Sequence, residues 1–219
     1  MSDRNRTQAT ERPEPARRRR GKELIAAIHQ AALEETAEQG LGRIGMEGIA
    51  RRAGTAKTSL YRRWSSPEEI VLDALYHVLP VEEPSPMADD LRGDLIAALT
   101  LMRDKFMQPF YGAVVTAILA EAQRNPELRE RLYGEVFEPR GGRFTRTVLY
   151  HYAERGKVDP ARLTPVVLDI GEALMIKYGV DEAKLPDDAY IAAIVDQAIL
   201  PALGHDAGCD TGGRGRPAG

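Results

Sequence analysis

An all-α fold is what this sequence predicts, on three observations. Apolar residues recur at spacings of three and four along most of the chain, the repeat of an amphipathic helix. No stretch carries the alternating apolar and polar pattern of a half-buried strand. With only 4 Phe and 1 Trp, the interior must be built from Ala, Leu, Ile and Val, a mix that favours helices. At 219 residues the chain can form one sizeable core, or a domain of about 50 residues fused to a larger one.

Residues 1–21 hold Pro13, Pro15 and the run Arg17 to Arg20 with almost nothing apolar, so a disordered basic arm is expected there. From Lys22, the stripe Leu24, Ile25, Ile28, Ala31, Ala32 and Thr36 predicts a first helix that stops at Gly40. Met46, Ile49, Ala50 and Ala53 form the apolar face of a short second helix, with Gly45 as its N-cap and Gly54 as its end. A third short helix is expected from Ala56 to Trp64. Leu60 and Trp64, one turn apart, face inward there, while Lys57, Thr58, Tyr61 and Arg62 face outward or along the edge. Residues 22–66 thus form a small three-helix domain.

Pro67, Glu68 and Glu69 suit the first turn of a fourth helix, because Pro lacks only an N–H that is orphaned there and acids offset the positive end of the dipole. This helix should reach about Leu79 and break in the stretch from Pro80 to Pro86. Leu91, Leu95, Ala98, Leu99, Met102 and Phe106 then give the cleanest stripe, followed by Ala113, Val114, Ala117 and Ile118. Leu128, Leu132 and Val136 mark the next helix and Phe144, Val148 and Tyr152 its successor, with Gly141, Gly142 and Gly156 as punctuation. Leu163, Val167, Ile170 and Leu174, then Ile191, Ile194, Val195, Ala198 and Ile199, predict two long closing helices joined by the loop from Gly179 to Pro186. Residues 67–204 form the larger domain, and 205–219 are expected to be a disordered tail.

Charge is segregated between these parts. Residues 1–64 hold 14 Lys and Arg against 8 Asp and Glu, a net of +6, whereas the remainder carries a net of −9. A basic head on an acidic body is drawn to a polyanion in one orientation. Cys209 is the single cysteine, so no disulfide framework or thiolate metal cluster forms within one chain. The apolar run from Ala113 to Ala120 is too short to cross a bilayer, and Met1 to Arg20 lacks the apolar stretch of a secretion signal. A cytoplasmic protein with no membrane partner is expected.

Two short helices joined at a glycine, the second basic on its outer side, make a helix-turn-helix able to enter a major groove about 12 Å wide. The stretch GMEGIARRAGTAKTSLYRRW, Gly45 to Trp64, resembles the DNA-binding signature of the tetracycline-repressor-like (TetR) family, and Ile28, Ala31, Ala32 and Gly40 match that family's leading helix. The resemblance implies that Gly45, Lys57, Thr58, Ser59, Tyr61, Arg62 and Arg63 stand at or beside DNA-facing positions. It also implies that Ile49, Ala50, Ala53, Gly54, Leu60 and Trp64 hold the motif together. Lys57 and Tyr61 suit phosphate oxygens, Arg62 suits a guanine edge, and Arg63 lies further round toward phosphate. Two positions depart from the family pattern: Gly45 stands where Thr or Ser is frequent, and Pro67 where Lys is. Each departure removes a phosphate contact and makes the salt dependence of binding shallower. Arg17 to Arg20 and the RGRP run Arg214 to Pro217 are further candidate minor-groove contacts.

The same resemblance implies that the larger domain binds a small effector and forms a homodimer, the two heads meeting the halves of an inverted-repeat operator. Met102, Phe106, Phe110, Tyr111, Tyr133, Phe137 and His151 are the candidate pocket residues, apolar bodies with a few polar tips. Ile170, Leu174, Ile191, Ile194, Val195 and Ala198 are the candidate dimer interface. No catalytic residue, cofactor or metal ligand is expected: His29, His77, His151 and His205 are scattered, and no HExxH, GxSxG or phosphate-loop pattern occurs. A small-molecule-binding helical enzyme and an interaction module are the alternatives, and the second leaves the basic helix unexplained.

Overall fold

The computed structural model describes residues 21–140 and 143–205. Arg17 to Arg20, Gly141, Gly142, Cys209 and the run Arg214 to Pro217 lie outside these residues.

All regular elements among the described residues are helical. In chain order the α-helices of five residues or more are α1 (Lys22–Gln39), α2 (Met46–Arg52), α3 (Lys57–Tyr61), α4 (Pro67–Val78), α5 (Leu91–Leu101), α6 (Pro109–Ala122), α7 (Pro126–Arg131), α8 (Thr145–Glu154), α9 (Pro165–Glu182) and α10 (Asp188–Ile194). Three of them run on into a π-helical turn: α5 through Met102–Phe106, α7 through Leu132–Phe137 and α10 through Val195–Ile199.

Local chemistry accounts for most boundaries. Gly40, at φ 82°, ends α1 and donates its N–H to the Thr36 carbonyl at 2.9 Å. Ser66 caps α4 by accepting from the Glu69 N–H at 3.3 Å, while the Glu69 carboxylate accepts the Ser65 N–H at 2.6 Å. This reciprocal pair, with Pro67 in the first turn, fixes where α4 begins. Asp90, Asn125, Thr164 and Asp187 cap α5, α7, α9 and α10 in the same way.

The head and body share one core through α1 and α4. One side of α1 packs on α2 and another on α4 and α6. Its buried face holds Ile28, Ala31, Ala32 and Leu33, all at most 2% exposed. Helix α4 is buried along Ile70, Val71, Leu72, Ala74 and Leu75 and also packs on the π turn after α7. Helices α5, α8, α9 and α10 close the rest of the body. At Gly171 in α9 a Cβ would lie 2.5 Å from Thr145 Oγ1 and 3.2 Å from Leu99 Cδ2, so only glycine lets α9 approach α5 and α8 this closely.

The last helix differs from its expected use. Ile191, Ile194 and Val195 are 0%, 3% and 0% exposed, inside the chain's own core rather than on a face offered to a second subunit. Ile199 and Leu200, in and just after the π turn at Val195–Ile199, are buried as well, at 0% and 8% exposed. Ile170, Leu174 and Ala198 are half-buried.

Candidate nucleic-acid interface and ligand cavity

The helix-turn-helix is held from beneath by small aliphatic side chains. Ile49, Ala50, Ala53, Leu60 and Trp64 are at most 7% exposed. Gly54 turns the chain between α2 and α3 at φ 65°, a conformation glycine adopts without a Cβ penalty. The Thr55 N–H then donates to the Ala50 carbonyl at 3.0 Å, closing the turn. Helix α3 spans only five residues, and Arg62 forms its C-cap, so Arg62, Arg63 and Trp64 follow as a turn rather than as helix. Burial of Trp64 ends the motif: its indole N–H donates to Asp73 Oδ2 of α4 at 2.9 Å.

Lys57, Thr58, Tyr61, Arg62 and Arg63 are exposed, Ser59 is half-buried, and Gly45 is exposed at the start of α2. Lys57 Nζ stands 5.7 Å from the centre of the Tyr61 ring, a cation–π contact that holds both side chains on one face. Arg52, by contrast, turns away to α1, where it meets Glu34, Glu35 and Glu38 at 3.4, 2.9 and 2.5 Å. These contacts lock α2 against α1 and take Arg52 out of the cationic surface. Among the described residues, Arg51, Lys57, Arg62 and Arg63 form no intramolecular ion pair and leave a cationic surface on α2, α3 and the turn after it, whereas Arg43, also without an ion pair, stands beside α6. Arg51 lies within the Gly45–Trp64 stretch but was not singled out from sequence, because it falls on α2 rather than on the reading helix.

In the body, a cavity of about 1230 Å³ opens between α5, α6, α7, α8 and α9. Met102, Phe106, Tyr133 and Phe137 line it. Phe110 and Tyr111 are not in its wall; they are half-buried and pack edge to face on each other at 5.0 Å. His151 is also outside it, because its Nε2 bonds the Ser85 carbonyl at 2.7 Å and holds the α4–α5 linker. Both pairs, Met102 with Phe106 and Tyr133 with Phe137, lie in the π turns that follow α5 and α7, and their spacing of four residues sets both members of each pair on the cavity wall.

Sequence reasoning missed the polar end of this cavity. Glu172 of α9 accepts the Thr145 N–H at 3.1 Å, and Glu82 of the linker accepts the Phe144 N–H at 2.9 Å. Two carboxyls from distant segments thus cap the first turn of α8. Burial pushes both up to about 7, against which the hydrogen bonds they accept act only in part. Phe144 itself has φ 36°, an uncommon and strained backbone for a bulky residue, and its ring meets Phe106 edge to face at 5.0 Å. Nothing in the local sequence marks Glu82 or Glu172, since their partners lie 62 and 27 residues away.

Residues 28–74 match the family model described as bacterial regulatory proteins of the tetR family, and residues 86–198 match the model of the tetracyclin repressor-like C-terminal domain. The chain belongs to the TetR family. It is a DNA-binding, helix-turn-helix transcriptional regulator rather than an enzyme. An uncharacterized HTH-type transcriptional regulator of Mycobacterium bovis is 28% identical over 171 residues, covering 78% of this chain and 83% of the relative. The DNA-binding transcriptional repressor TetR of Mycobacteroides abscessus is 27% identical over 185 residues, covering 83% and 94%. Among solved structures, the fatty acid degradation regulator FadR of Bacillus halodurans superposes with a TM-score of 0.59 at 17% identity, over 86% of this chain and 100% of that one. A TetR family transcription regulator superposes at 0.58 with 24% identity, over 81% and 97%, and these likenesses speak to the fold. No helix among the described residues is long and apolar enough to cross a membrane.

Proposed function

We propose that this TetR-family regulator is a homodimeric repressor whose two α3 helices read the halves of an inverted-repeat operator, and that an apolar small molecule in the body cavity releases it. The observation that carries the reading is the division of labour between unpaired cations around α3 and a cavity whose wall is tied to the head by hydrogen bonds. That tie is continuous. Arg143 and Phe144 line the cavity, and Glu82 bonds the Phe144 N–H. The linker carrying Glu82 is fastened again to α8 by His151 on the Ser85 carbonyl and by Arg155 on the Pro86 carbonyl at 3.0 Å. This linker joins α5 to α4, and α4 holds Trp64 of the reading motif through Asp73. A ligand that displaces Phe144 pulls on the linker and so on α4. It weakens DNA binding only as far as it prefers the displaced state.

Dimer formation is assigned to the outer face of α9. Val166, Ile176 and Val180 are 72%, 54% and 75% exposed there, with Ile170 beside them. Such a row of exposed aliphatics suits burial against a second copy. Ile176 and Val180 also rim the cavity, so the partner would narrow its mouth. Recognition helices in the dimer would sit about 34 Å apart, one turn of DNA.

Operator binding by an Arg62→Ala variant tests the reading. It should lose about 1–3 kcal/mol on the operator and tolerate substitutions at one base position. An equal loss on operator and random duplex would remove base reading from Arg62. For the switch, candidate apolar ligands are titrated into the operator complex, and a ligand that occupies the cavity without changing DNA affinity would refute it.

A further inference from the structure

We infer that His29, Asp73 and His77 form a binding site for one divalent transition-metal ion of the zinc class, which ties α1 of the DNA-binding head to α4. One ligand atom from each of the three residues lies within 4.8 Å of the other two. His29 Nε2 is 3.0 Å from Asp73 Oδ2, and His77 Nδ1 is 3.1 Å from Asp73 Oδ1. The two imidazole centres are 5.2 Å apart. Two imidazoles on one zinc, with bonds of about 2.0–2.1 Å at a tetrahedral angle, place their ring centres about 5 Å apart, so the rings need little movement to share an ion.

The surroundings suit a ligand set. His29 is buried at 5% exposed, and its Nε2 is turned to the Asp73 carboxylate. The Trp64 indole N–H donates to Asp73 Oδ2, the oxygen that also faces His29, and so fixes the orientation of the carboxylate as outer partners of metal ligands do. His77 Nδ1 also lies 2.7 Å from the Asp73 carbonyl; coordination through Nδ1 gives up this contact and requires the neutral ring to carry its one proton on Nε2. The His77 side chain is 57% exposed and that of Asp73 34%, which opens a path for the ion and room for water to complete its shell. Two nitrogens and one carboxylate oxygen select zinc, nickel or cobalt over magnesium and calcium. The grouping forms only when α1 meets α4, since 44 residues separate His29 from Asp73.

Cobalt(II) titration of the full, tag-free chain, followed by absorbance and competed with zinc, tests the site. The expected result is one ion per chain, with affinity lowered about tenfold or more in His77→Ala and unchanged in His205→Ala. His77 is exposed, so its variant should fold, and circular dichroism checks that it does. Zinc should raise the melting temperature of the parent chain but not of His77→Ala. Absence of saturable binding, or equal binding by the His77→Ala chain, overturns the inference and leaves the three groups as a hydrogen-bonded contact between helices. The readout is metal occupancy, so it stands apart from the operator reading.

Discussion

Head and body solve recognition in opposite ways. In the head, α1 to α3 are regular, the interior is small and aliphatic, and the functional side chains project outward from a turn closed by Gly54. In the body, the helices around the cavity are interrupted by π turns, Phe144 sits at positive φ, and two carboxyls are buried at the first turn of α8. The contrast follows from the targets. DNA is a stiff polyanion met from outside, so fixed cations on an ordinary helical frame suffice. A small molecule is enclosed, and enclosing it requires the packing to depart from regularity somewhere.

The largest expected break in this comparison comes from Leu60→Ala. Leu60 is fully buried between α2 and α3, and the truncation should cost about 2–5 kcal/mol in the head. Trp64 is the only tryptophan, so its fluorescence reports the seam between the reading motif and α4 while circular dichroism averages all helices. In urea, the fluorescence transition of the variant should move to lower denaturant than the dichroism transition. Coincident shifts would mean that α1 and α4 make head and body a single cooperative unit.

Next in size is the pH dependence stored in the body. The Glu172 carboxyl is pushed up to about 7 by burial, from an ordinary value of 4.5. Because the folded value is the higher one, its contribution to stability is fully present below about 4.5 and is lost as pH rises through about 7. Glu172→Gln keeps an acceptor for the Thr145 N–H and removes the charge. The variant should match the parent chain at pH 4.5 and exceed it at pH 8 by on the order of 1–3 kcal/mol. Parallel pH profiles would show that Glu172 is solvated in solution and that the cavity is wetter than its walls suggest.

How legible each region was follows from the same contrast. The head could be read because its constraints are local: Ile49, Ala50, Ala53 and Leu60 repeat at helical spacing, Gly54 marks the turn, and the exposed cations are whatever the apolar stripe leaves over. The body's helices were legible for the same reason, but its site was not. Phe106 and Phe137 reach the cavity through π turns, whereas Phe110, Tyr111 and His151 look equally suitable in sequence and are occupied elsewhere. Glu82, Glu172 and the His29–Asp73–His77 group depend on chain segments meeting in space. The failure at Ile191, Ile194 and Val195 has a single cause: apolar periodicity says that a face is buried, not whether its own chain or a second copy covers it.

That ambiguity can be sharpened on α9. Val180→Glu places a charge on the exposed aliphatic row at a residue that is 75% exposed in one chain, so folding of the chain should be unaffected. If the row is covered by a second subunit, dimer dissociation measured by sedimentation should strengthen about tenfold or more, roughly 1.4 kcal/mol, through burial of an unpaired charge. An unchanged equilibrium would move the interface off α9.

The smallest effect tests the head's departure from its family. Gly45 precedes α2 at φ −140°, an extended backbone open to any residue, and a Cβ there would meet nothing within 4 Å. Gly45→Ser therefore adds no strain. Its hydroxyl can accept the Gly48 N–H, now without a side-chain cap, for a few tenths of a kcal/mol in stability. On DNA the same hydroxyl can instead donate to a phosphate, tightening operator binding without adding a charge. The salt slope should then stay nearly constant while affinity rises at every salt concentration, because counterion release follows cations rather than hydroxyls; of the two departures from the family pattern, only Pro67 in place of lysine makes the slope shallower. A steeper slope would mean that the substitution draws a neighbouring arginine, Arg43 or Arg51, into phosphate contact.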